Sequence, residues 1–246
     1  MKIFLLADGW VGWKIGSFLA KRKENIIGLG LHPVDKRNLG KEIIEAIQLP
    51  PTKIFTGPNC LDPIKSLRPD IIISSYWGYI IKPEIIRLAP KGCINLHPSF
   101  LPFNRGKNPN VWSIIEDTRA GATIHYIDER VDTGDIIAQQ EVNVEPVDTA
   151  LTVFEKSIQA LIHLFKETWP KIKKGVHLRV KQDHSGATFH LAKELRRLDE
   201  IDLNKFYKAK DLINILRART FPPYPSAYFI QSGKKVYARV QLEYAK

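Results

Sequence analysis

Three polar residues, Asn95, His97 and Asp132, supply the side-chain types that group-transfer chemistry needs. An amide can donate a hydrogen bond to a developing oxyanion, and a histidine can accept a proton near neutral pH. A carboxylate can orient such a histidine and favour its charged form. The spacing alone is equally compatible with a turn asparagine, a core histidine and a hairpin aspartate, so both interpretations stay open at this point.

None of the three residues is a serine or cysteine, which favours direct transfer of a group to an amine or to water over a covalent acyl-enzyme. The glycines of "DGWVGWKIG" do not follow the GxGxxG pattern and are better explained by tight strand-to-helix packing. No metal-binding motif is present in the sequence, so no metal is expected. Four further histidines stand alone and are predicted to be structural or solvated: His32, His163, His177 and His190.

Apolar segments alternate with amphipathic ones in the first half of the chain, which predicts a doubly wound α/β fold with a mostly parallel sheet and helices on both faces. Strands are predicted at 2–8, 25–31, 52–57, 71–77 and 92–98, and helices at 11–22, 41–47, 61–70 and 82–89. Asn95 and His97 alternate along a strand end and therefore face the same side. Ligands of such sheets bind outside the carboxyl ends of the strands, where segment 74–79 is also expected.

The second half of the chain has a different pattern. We predict a short helix at 109–116, a strand pair at 121–128 and 135–144, a helix at 150–173 ended by Gly175, and a helix at 209–219. Ser232-Gly233 between two alternating segments predicts a terminal hairpin. These features predict a catalytic domain over residues 1–183 and a small C-terminal region over residues 184–246.

Composition limits the classes of protein. The chain has 246 residues and is 44% hydrophobic, which suits one large domain with a small appendage. Its two cysteines are far apart, which indicates a reducing, cytoplasmic compartment, and no apolar run is long enough to span a membrane. The net charge of +11 could indicate nucleic acid, but the basic residues are dispersed, which favours small anionic substrates.

The segment "INLHPSFLPFNRG", followed by "DTGDII", resembles the signature of the folate-dependent formyltransferases. The family pattern is N-x-H-P-S-x-L-P-x-x-x-G, with a D-x-G about 35 residues later, and it covers at least residues 70–165. The resemblance implies transfer of a formyl group from N10-formyltetrahydrofolate to an amine, with Asn95, His97 and Asp132 as the catalytic residues. It also implies a pterin pocket built largely from main-chain groups of Ser75, Trp77, Gly78, Tyr79, Ile80 and Asp128.

The acceptor amine distinguishes three groups within the family. Glycinamide ribonucleotide formyltransferases carry a Gly-Asn-Gly-Ser loop, from which "ADGWVGW" departs. Methionyl-tRNA formyltransferases carry a C-terminal barrel, and the residues after 183 are too few for it, although the positive charge favours this alternative.

Sugar N-formyltransferases, which act on nucleotide-linked amino sugars, resemble this chain most closely at "FNRGKNPNVW" and "RARTFPPYPSAYF". The resemblance implies a dTDP-linked amino-dideoxyhexose as acceptor, with dTDP-4-amino-4,6-dideoxyglucose preferred and a 3-amino isomer as the alternative. It also implies a homodimer and a role in polysaccharide assembly such as O-antigen synthesis. The predicted substrate-binding residues are Asn104, Arg105, Gly106, Arg219, Phe221 and Tyr224, with core or surface roles as the alternative for the arginines and aromatic residues.

Single residues leave further alternatives. Trp112 is predicted to pack in the core, and His125 could contact folate or fill the core. A folate-binding subunit without activity and a hydrolase that releases formate would use the same three polar groups. Both alternatives are less favoured, because all three catalytic positions are intact and the sequence begins directly with its first strand.

Overall fold

The computed structural model describes residues 1–57 and 59–245 and divides into two compact units. The first unit comprises Met1–His97, Thr123–Gln139 and Leu161–Gln182. The second comprises Pro98–Ala122, Gln140–Ala160 and Asp183–Lys246. The predicted boundary after residue 183 stays a prediction.

A seven-stranded sheet has the order β3-β2-β1-β4-β5-β7-β8. These strands are β1 (Lys2–Ala7), β2 (Asn25–Leu31), β3 (Ile54–Thr56), β4 (Ile71–Ser75), β5 (Cys93–His97), β7 (Ala120–Tyr126) and β8 (Ile136–Val142). The pairs among β1 to β5 are parallel, whereas β5 pairs with β7 in antiparallel orientation. The predicted fold class, a mostly parallel Rossmann-like sheet, is confirmed.

The central strands are buried because both faces of a parallel sheet are covered by other elements. All five residues of β4 and the last five of β1 are buried. Gly28 and Gly30 of β2 lie against Phe4 and Leu6, and a Cβ at either position would overlap those side chains. Close packing therefore explains why glycine occupies positions 28 and 30 of "NIIGLGL".

The helices of the chain are α1 (Gly9–Lys21), α2 (Gly40–Ile47), α3 (Ile64–Leu67), α4 (Pro83–Ile86), α5 (Pro109–Ile115), α6 (Ala150–Lys174) and α7 (Ala209–Ala218). Helices α3 and α4 are shorter than predicted. Arg68 adopts φ +47°, which ends α3 one residue before Pro69, since the residue before a proline avoids the helical region. Gly175, with φ +72°, follows α6 as predicted.

The second unit has its own apolar cluster and a hairpin. Val111, Ile114, Ala150, Val153 and Ala218 are buried together. The remaining strands are β6 (Arg105–Gly106), β9 (Phe189–His190), β10 (Tyr228–Gln231) and β11 (Lys234–Tyr237). The last two form the predicted hairpin, with positive φ at both turn residues, 232 and 233. Within the described ranges, no helix is both long and apolar enough to cross a bilayer.

Candidate active site

One row across the sheet joins three polar side chains. The register places Ser74 of β4 beside Asn95 of β5, and Asn95 beside His125 of β7. The Ser74 hydroxyl donates to Asn95 Oδ1 over 2.8 Å, and Asn95 Nδ2 lies 3.2 Å from His125 Nε2. Both ends of the Asn95 amide are therefore held by neighbouring strands.

The bonds of His125 determine which of its nitrogens carries the proton. His125 Nδ1 lies 2.8 Å from the carbonyl oxygen of Tyr126, which can only accept, so Nδ1 donates. In the neutral ring Nε2 then accepts from Asn95 Nδ2. His125 is 1% exposed, so this arrangement is isolated from solvent.

Asp132 brings a carboxylate to the same place. Its Oδ2 lies 3.7 Å from His97 Nδ1, an ion-pair distance, and its Oδ1 lies 3.5 Å from both Asn95 Nδ2 and His125 Nε2. His97 is buried, and the Asp132 side chain is 11% exposed. A buried carboxylate at this distance stabilises positive charge on an imidazole. Below, the Asn95 cluster means Ser74, Asn95, His97, His125 and Asp132.

The loop that carries Asp132, residues 128–135, is held in an unusual backbone conformation. Asp132 adopts φ +55°, which side-chain-bearing residues rarely adopt. A Cβ at Gly134 would overlap the carbonyl oxygen of Tyr126, so glycine is required for this close approach. Asp128 Oδ1 accepts from Thr133 Oγ1 over 2.7 Å and from the Arg130 amide over 3.1 Å. We call this segment the Asp132 loop.

The predicted pterin-binding segment follows β4. The amide of Gly78 donates to His32 Nε2 over 3.2 Å, and His32 Nδ1 lies 3.4 Å from Asp8 Oδ2. The rings of Trp77 and Tyr79 lie 4.5 and 4.9 Å from that of His32. His32 was predicted to stand alone, but it holds this segment at the carboxyl ends of β1, β2 and β4.

Two polar atoms of the same segment could bind a ligand. Ser75 Oγ and Trp77 Nε1 are buried and have no hydrogen-bond partner among the described residues. Ile80 is 79% exposed and Tyr79 is 45% exposed. Asp128, by contrast, uses one carboxylate oxygen within the Asp132 loop.

The first three predicted substrate residues lie in the second unit. Asn104 Nδ2 donates to Thr118 Oγ1 over 2.9 Å, so its amide supports that unit. Gly106 has φ +89°, and a Cβ there would overlap the carbonyl oxygen of His190. Arg105 Nε is buried and has no hydrogen-bond partner within the described residues. Of the three, Arg105 has a donor available for an anion.

The other three predicted substrate-binding residues, Arg219, Phe221 and Tyr224, also lie in the second unit. Arg219 donates from Nε and from the guanidinium terminus to Asp199 Oδ1, over 3.0 and 2.6 Å, and is buried. Phe221 packs against Phe154, with ring centroids 5.3 Å apart. Tyr224 lies 5.4 Å from Phe221 and is 62% exposed. The core and salt-bridge alternatives therefore describe Arg219 and Phe221, whereas Tyr224 presents an accessible ring.

Trp112 is buried, as predicted, and its ring stacks on His190 with centroids 4.0 Å apart. His190 lies 3.1 Å from Glu116 Oε1 and 3.2 Å from Glu194 Oε2, one carboxylate at each ring nitrogen. Trp112 and the two carboxylates therefore surround the His190 ring. His190 was predicted to stand alone, whereas the structure surrounds it with partners.

One cysteine, Cys93, lies close in sequence to the Asn95 cluster. Burial raises the pKa of the Cys93 thiol, two residues before Asn95, so it remains protonated and is a poor nucleophile. Among the residues that the structure describes, no group of three or more His, Cys, Asp and Glu side chains could hold a metal ion.

Sequence reasoning placed segment 74–79 at a strand end but did not connect Ser74 with Asn95, and it left the role of His125 open. Ser74 lies in an apolar strand, and only the β4–β5 register places it beside Asn95. His32 follows the buried end of β2, as Asp8 follows β1. The rule that ligands bind where parallel strands end could have drawn attention to His32 and Asp8.

The Asn95 cluster brings together an amide, two imidazoles and a carboxylate, the kinds of group that general-base and oxyanion chemistry uses. Residues 26–165 match the profile of the formyl transferase family, and residues 194–244 match that of the N-formyltransferase dimerization C-terminal domain. The chain belongs to the formyl transferase family. This membership confirms the prediction of a folate-dependent formyltransferase.

Solved structures of similar fold cover nearly the whole chain. A 4-N formyltransferase from Francisella tularensis is 28% identical with a TM-score of 0.85, over 99% of this chain and 98% of that one. A formyltransferase from Anoxybacillus kamchatkensis, in complex with UDP-4,6-dideoxy-4-formamido-L-AltNAc and tetrahydrofolate, is 30% identical with a TM-score of 0.59, over 89% and 98%. An N-formyltransferase from Helicobacter canadensis, in complex with folinic acid and dTDP-3-aminofucose, shares the fold at 18% identity and a TM-score of 0.78, over 96% and 86%.

The Ser74 hydroxyl is open to a direct test. Ser74→Ala removes the donor to Asn95 Oδ1, so the amide loses one of the bonds that set its orientation. We expect kcat to fall about tenfold, less than when an oxyanion donor itself is removed. Steady-state kinetics measures this, and Ser66→Ala, at an exposed serine of α3, should leave kcat unchanged. Unchanged kcat in Ser74→Ala would show that Asn95 does not need this bond.

Proposed function

We propose that this protein transfers the formyl group of N10-formyltetrahydrofolate to the 4-amino group of dTDP-4-amino-4,6-dideoxyglucose. The observation that carries the proposal is the convergence of Asn95, His97 and Asp132, the three residues at the positions of the formyltransferase motif. It is supported by similarity to a 4-N formyltransferase over 99% of the chain. A 3-amino nucleotide sugar and methionyl-tRNA are the alternative acceptors.

The Asn95 cluster suits the two changes of charge in this reaction. The amine nitrogen becomes positive as it attacks the formyl carbon, and the formyl oxygen becomes negative. His97 accepts the amine proton, and Asp132, 3.7 Å away, stabilises the resulting imidazolium. Asn95 Nδ2 has two protons, one directed to His125 Nε2 and the other to Asp132 Oδ1 over a long 3.5 Å contact, which the formyl oxygen replaces when it binds. The proton finally passes to the folate nitrogen that releases the formyl group.

The segment after β4 fits the folate donor, which supplies the formyl carbon. Ser75 Oγ and Trp77 Nε1 offer buried polar atoms without partners in the described chain, and Tyr79 and Ile80 offer exposed apolar surface. A flat heterocycle needs both kinds of contact. His32 fixes the Gly78 amide and thereby the course of the main chain that would contact the pterin. Ile80 and Asp128 complete the proposed donor site.

Charge and similarity support the acceptor. A net charge of +11 attracts a diphosphate, and Arg105 has a buried Nε available to bind one. Asn104 and Gly106 flank Arg105 in the sequence. Arg219 donates to the carbonyl of Pro225, and Phe221 contacts the ring of Tyr224, on which the base of the nucleotide is proposed to stack. The two relatives described above with 25% identity or more are a 4-N formyltransferase and a formyltransferase bound to a 4-formamido sugar nucleotide, which favours C4 over C3.

The cellular setting is part of the same proposal. Nucleotide sugars and folates are cytoplasmic metabolites, so we place the reaction there. A formylated dideoxyhexose would be consumed by a glycosyl transfer in polysaccharide assembly, such as that of lipopolysaccharide O-antigen.

Removal of the catalytic groups should separate chemistry from folding. His97→Ala, Asn95→Ala and Asp132→Ala are each expected to lower kcat at least a hundredfold, through loss of a proton acceptor or an oxyanion donor. Formation of tetrahydrofolate measures the rate, and circular dichroism checks that each variant is folded. Near-normal kcat in folded His97→Ala would contradict its assignment.

The acceptor is tested by offering several amines to the wild-type protein in parallel. With N10-formyltetrahydrofolate, we expect one formyl group to be added to dTDP-4-amino-4,6-dideoxyglucose, seen by mass spectrometry. The 3-amino isomer, the UDP-linked 4-amino sugar and initiator methionyl-tRNA are the comparisons. Formylation of the tRNA alone would overturn the sugar acceptor, and preference for the 3-amino isomer would overturn C4.

The C-terminal hairpin is proposed to join two copies of the chain. It lies within the match to the dimerization domain, and Ile230, Val236 and Tyr237 are 40% to 51% exposed in the single chain. Val236→Glu should lower the mass in sedimentation velocity from twice 28.1 kDa to the monomer value. Val176→Glu, at an exposed valine outside the hairpin, is the matched control. A monomeric wild type would refute the dimer.

A further inference from the structure

Gln182 is a buried glutamine far in sequence from the catalytic residues but in contact with the Asp132 loop. It belongs to the segment that follows α6, and Val180 of that segment forms an antiparallel bridge with Ile136. The amides of Ile136 and Val180 each donate to the other's carbonyl, over 2.7 and 2.9 Å. This bridge brings the Gln182 side chain to the loop that ends just before Ile136.

The side chain of Gln182 uses both of its N–H groups on that loop. Nε2 donates to the carbonyl oxygen of Asp132 over 3.0 Å and to that of Gly134 over 2.7 Å. Gln182 is 8% exposed, and its Oε1 accepts no hydrogen bond from the described residues. Within the described part of the chain, these two carbonyls are therefore the hydrogen-bond partners of the Gln182 amide.

These two bonds act on the part of the loop whose conformation is costly. Asp132 adopts φ +55°, and a side-chain-bearing residue in that region needs compensation from its surroundings. The carbonyl that Gln182 holds belongs to the residue whose carboxylate faces His97 and His125. A small rotation of the Asp132 backbone would move that carboxylate away from both rings.

We propose that Gln182 is a positioning residue, which fixes the backbone of Asp132 and thereby aims its carboxylate at His97. Gln182 does not touch the reacting atoms. The catalytic consequence rests on the proposed function, whereas the structural part concerns the Asp132 loop alone.

Only a side chain with two donors and the reach of glutamine satisfies both carbonyls. Methionine has nearly the same length but no donor, so it would remove the hydrogen bonds that Gln182 donates to both carbonyls. Glutamate would place an anion against two carbonyl oxygens and repel them. The neighbouring Lys181 is exposed, and its substitution by methionine changes neither bond.

The test compares Gln182→Met and Gln182→Glu with Lys181→Met in the full-length protein. Two readouts are measured: hydrogen–deuterium exchange of peptides covering residues 128–136, and steady-state formyl transfer. We expect exchange in these peptides to rise at least tenfold in both Gln182 variants, with no change in peptides from β1 and β4. We expect kcat to fall at least tenfold while KM for donor and acceptor stays within twofold. Lys181→Met should match the wild type.

The outcomes separate this proposal from the proposed function. Unchanged exchange in residues 128–136 of Gln182→Met would overturn it, as would a loosened loop with kcat within twofold of wild type. A fall in thermal stability with equal loss of protection throughout the first unit would indicate a merely structural glutamine and would also overturn it. If the wild type formylates none of the offered amines, the acceptor proposal fails, and the exchange measurement still decides whether Gln182 holds the loop.

Discussion

The register of three adjacent strands is the constraint on which the candidate active site depends. Because Ser74, Asn95 and His125 occupy one row across β4, β5 and β7, a single line of hydrogen bonds sets the orientation of the Asn95 amide. A slip of one residue in either pairing would turn a member of the row to the opposite face. The buried, apolar strands oppose such a slip, because it would expose apolar side chains. The same strand register therefore determines both the packing of the core and the orientation of the Asn95 amide.

The polar groups beside this row differ in the hydrogen bonds that each accepts or donates. His125 is committed to the Tyr126 carbonyl through Nδ1 and serves Asn95 through Nε2, whereas His97 faces the carboxylate of Asp132. Two histidines of similar burial therefore differ in their hydrogen-bond partners. Another carboxylate–histidine contact, between Asp8 and His32, lies beside the hydrogen bond that His32 accepts from the Gly78 amide and so helps to order the segment after β4.

Much of the fold could be predicted from the sequence, because buried parallel strands are continuous apolar runs. The run "NIIGLGL" coincides with β2 residue for residue. Gly175 indicates the C-terminal end of α6, and Ser232-Gly233 indicates the turn of the final hairpin. Helices α3 and α4 were predicted too long, since the pattern does not show where a left-handed residue such as Arg68 interrupts it. Asn95, His97 and Asp132 were identified from a motif, but the position of His125 depends on strand register. Gln182 binds main-chain carbonyls 50 and 48 residues away, so no side-chain pattern indicates it.

The first unit is built from three separate sequence segments: Met1–His97, Thr123–Gln139 and Leu161–Gln182. Its folding during synthesis is therefore ordered by the ribosome. Strands β1, β2, β4 and β5 leave the exit tunnel first, and the Asp132 loop follows before its partner exists. Gln182 emerges 50 residues after Asp132, a delay of roughly 3 to 10 s at ordinary rates of translation. All seven strands of the main sheet are consequently synthesised before Gln182, the residue proposed to hold the Asp132 loop.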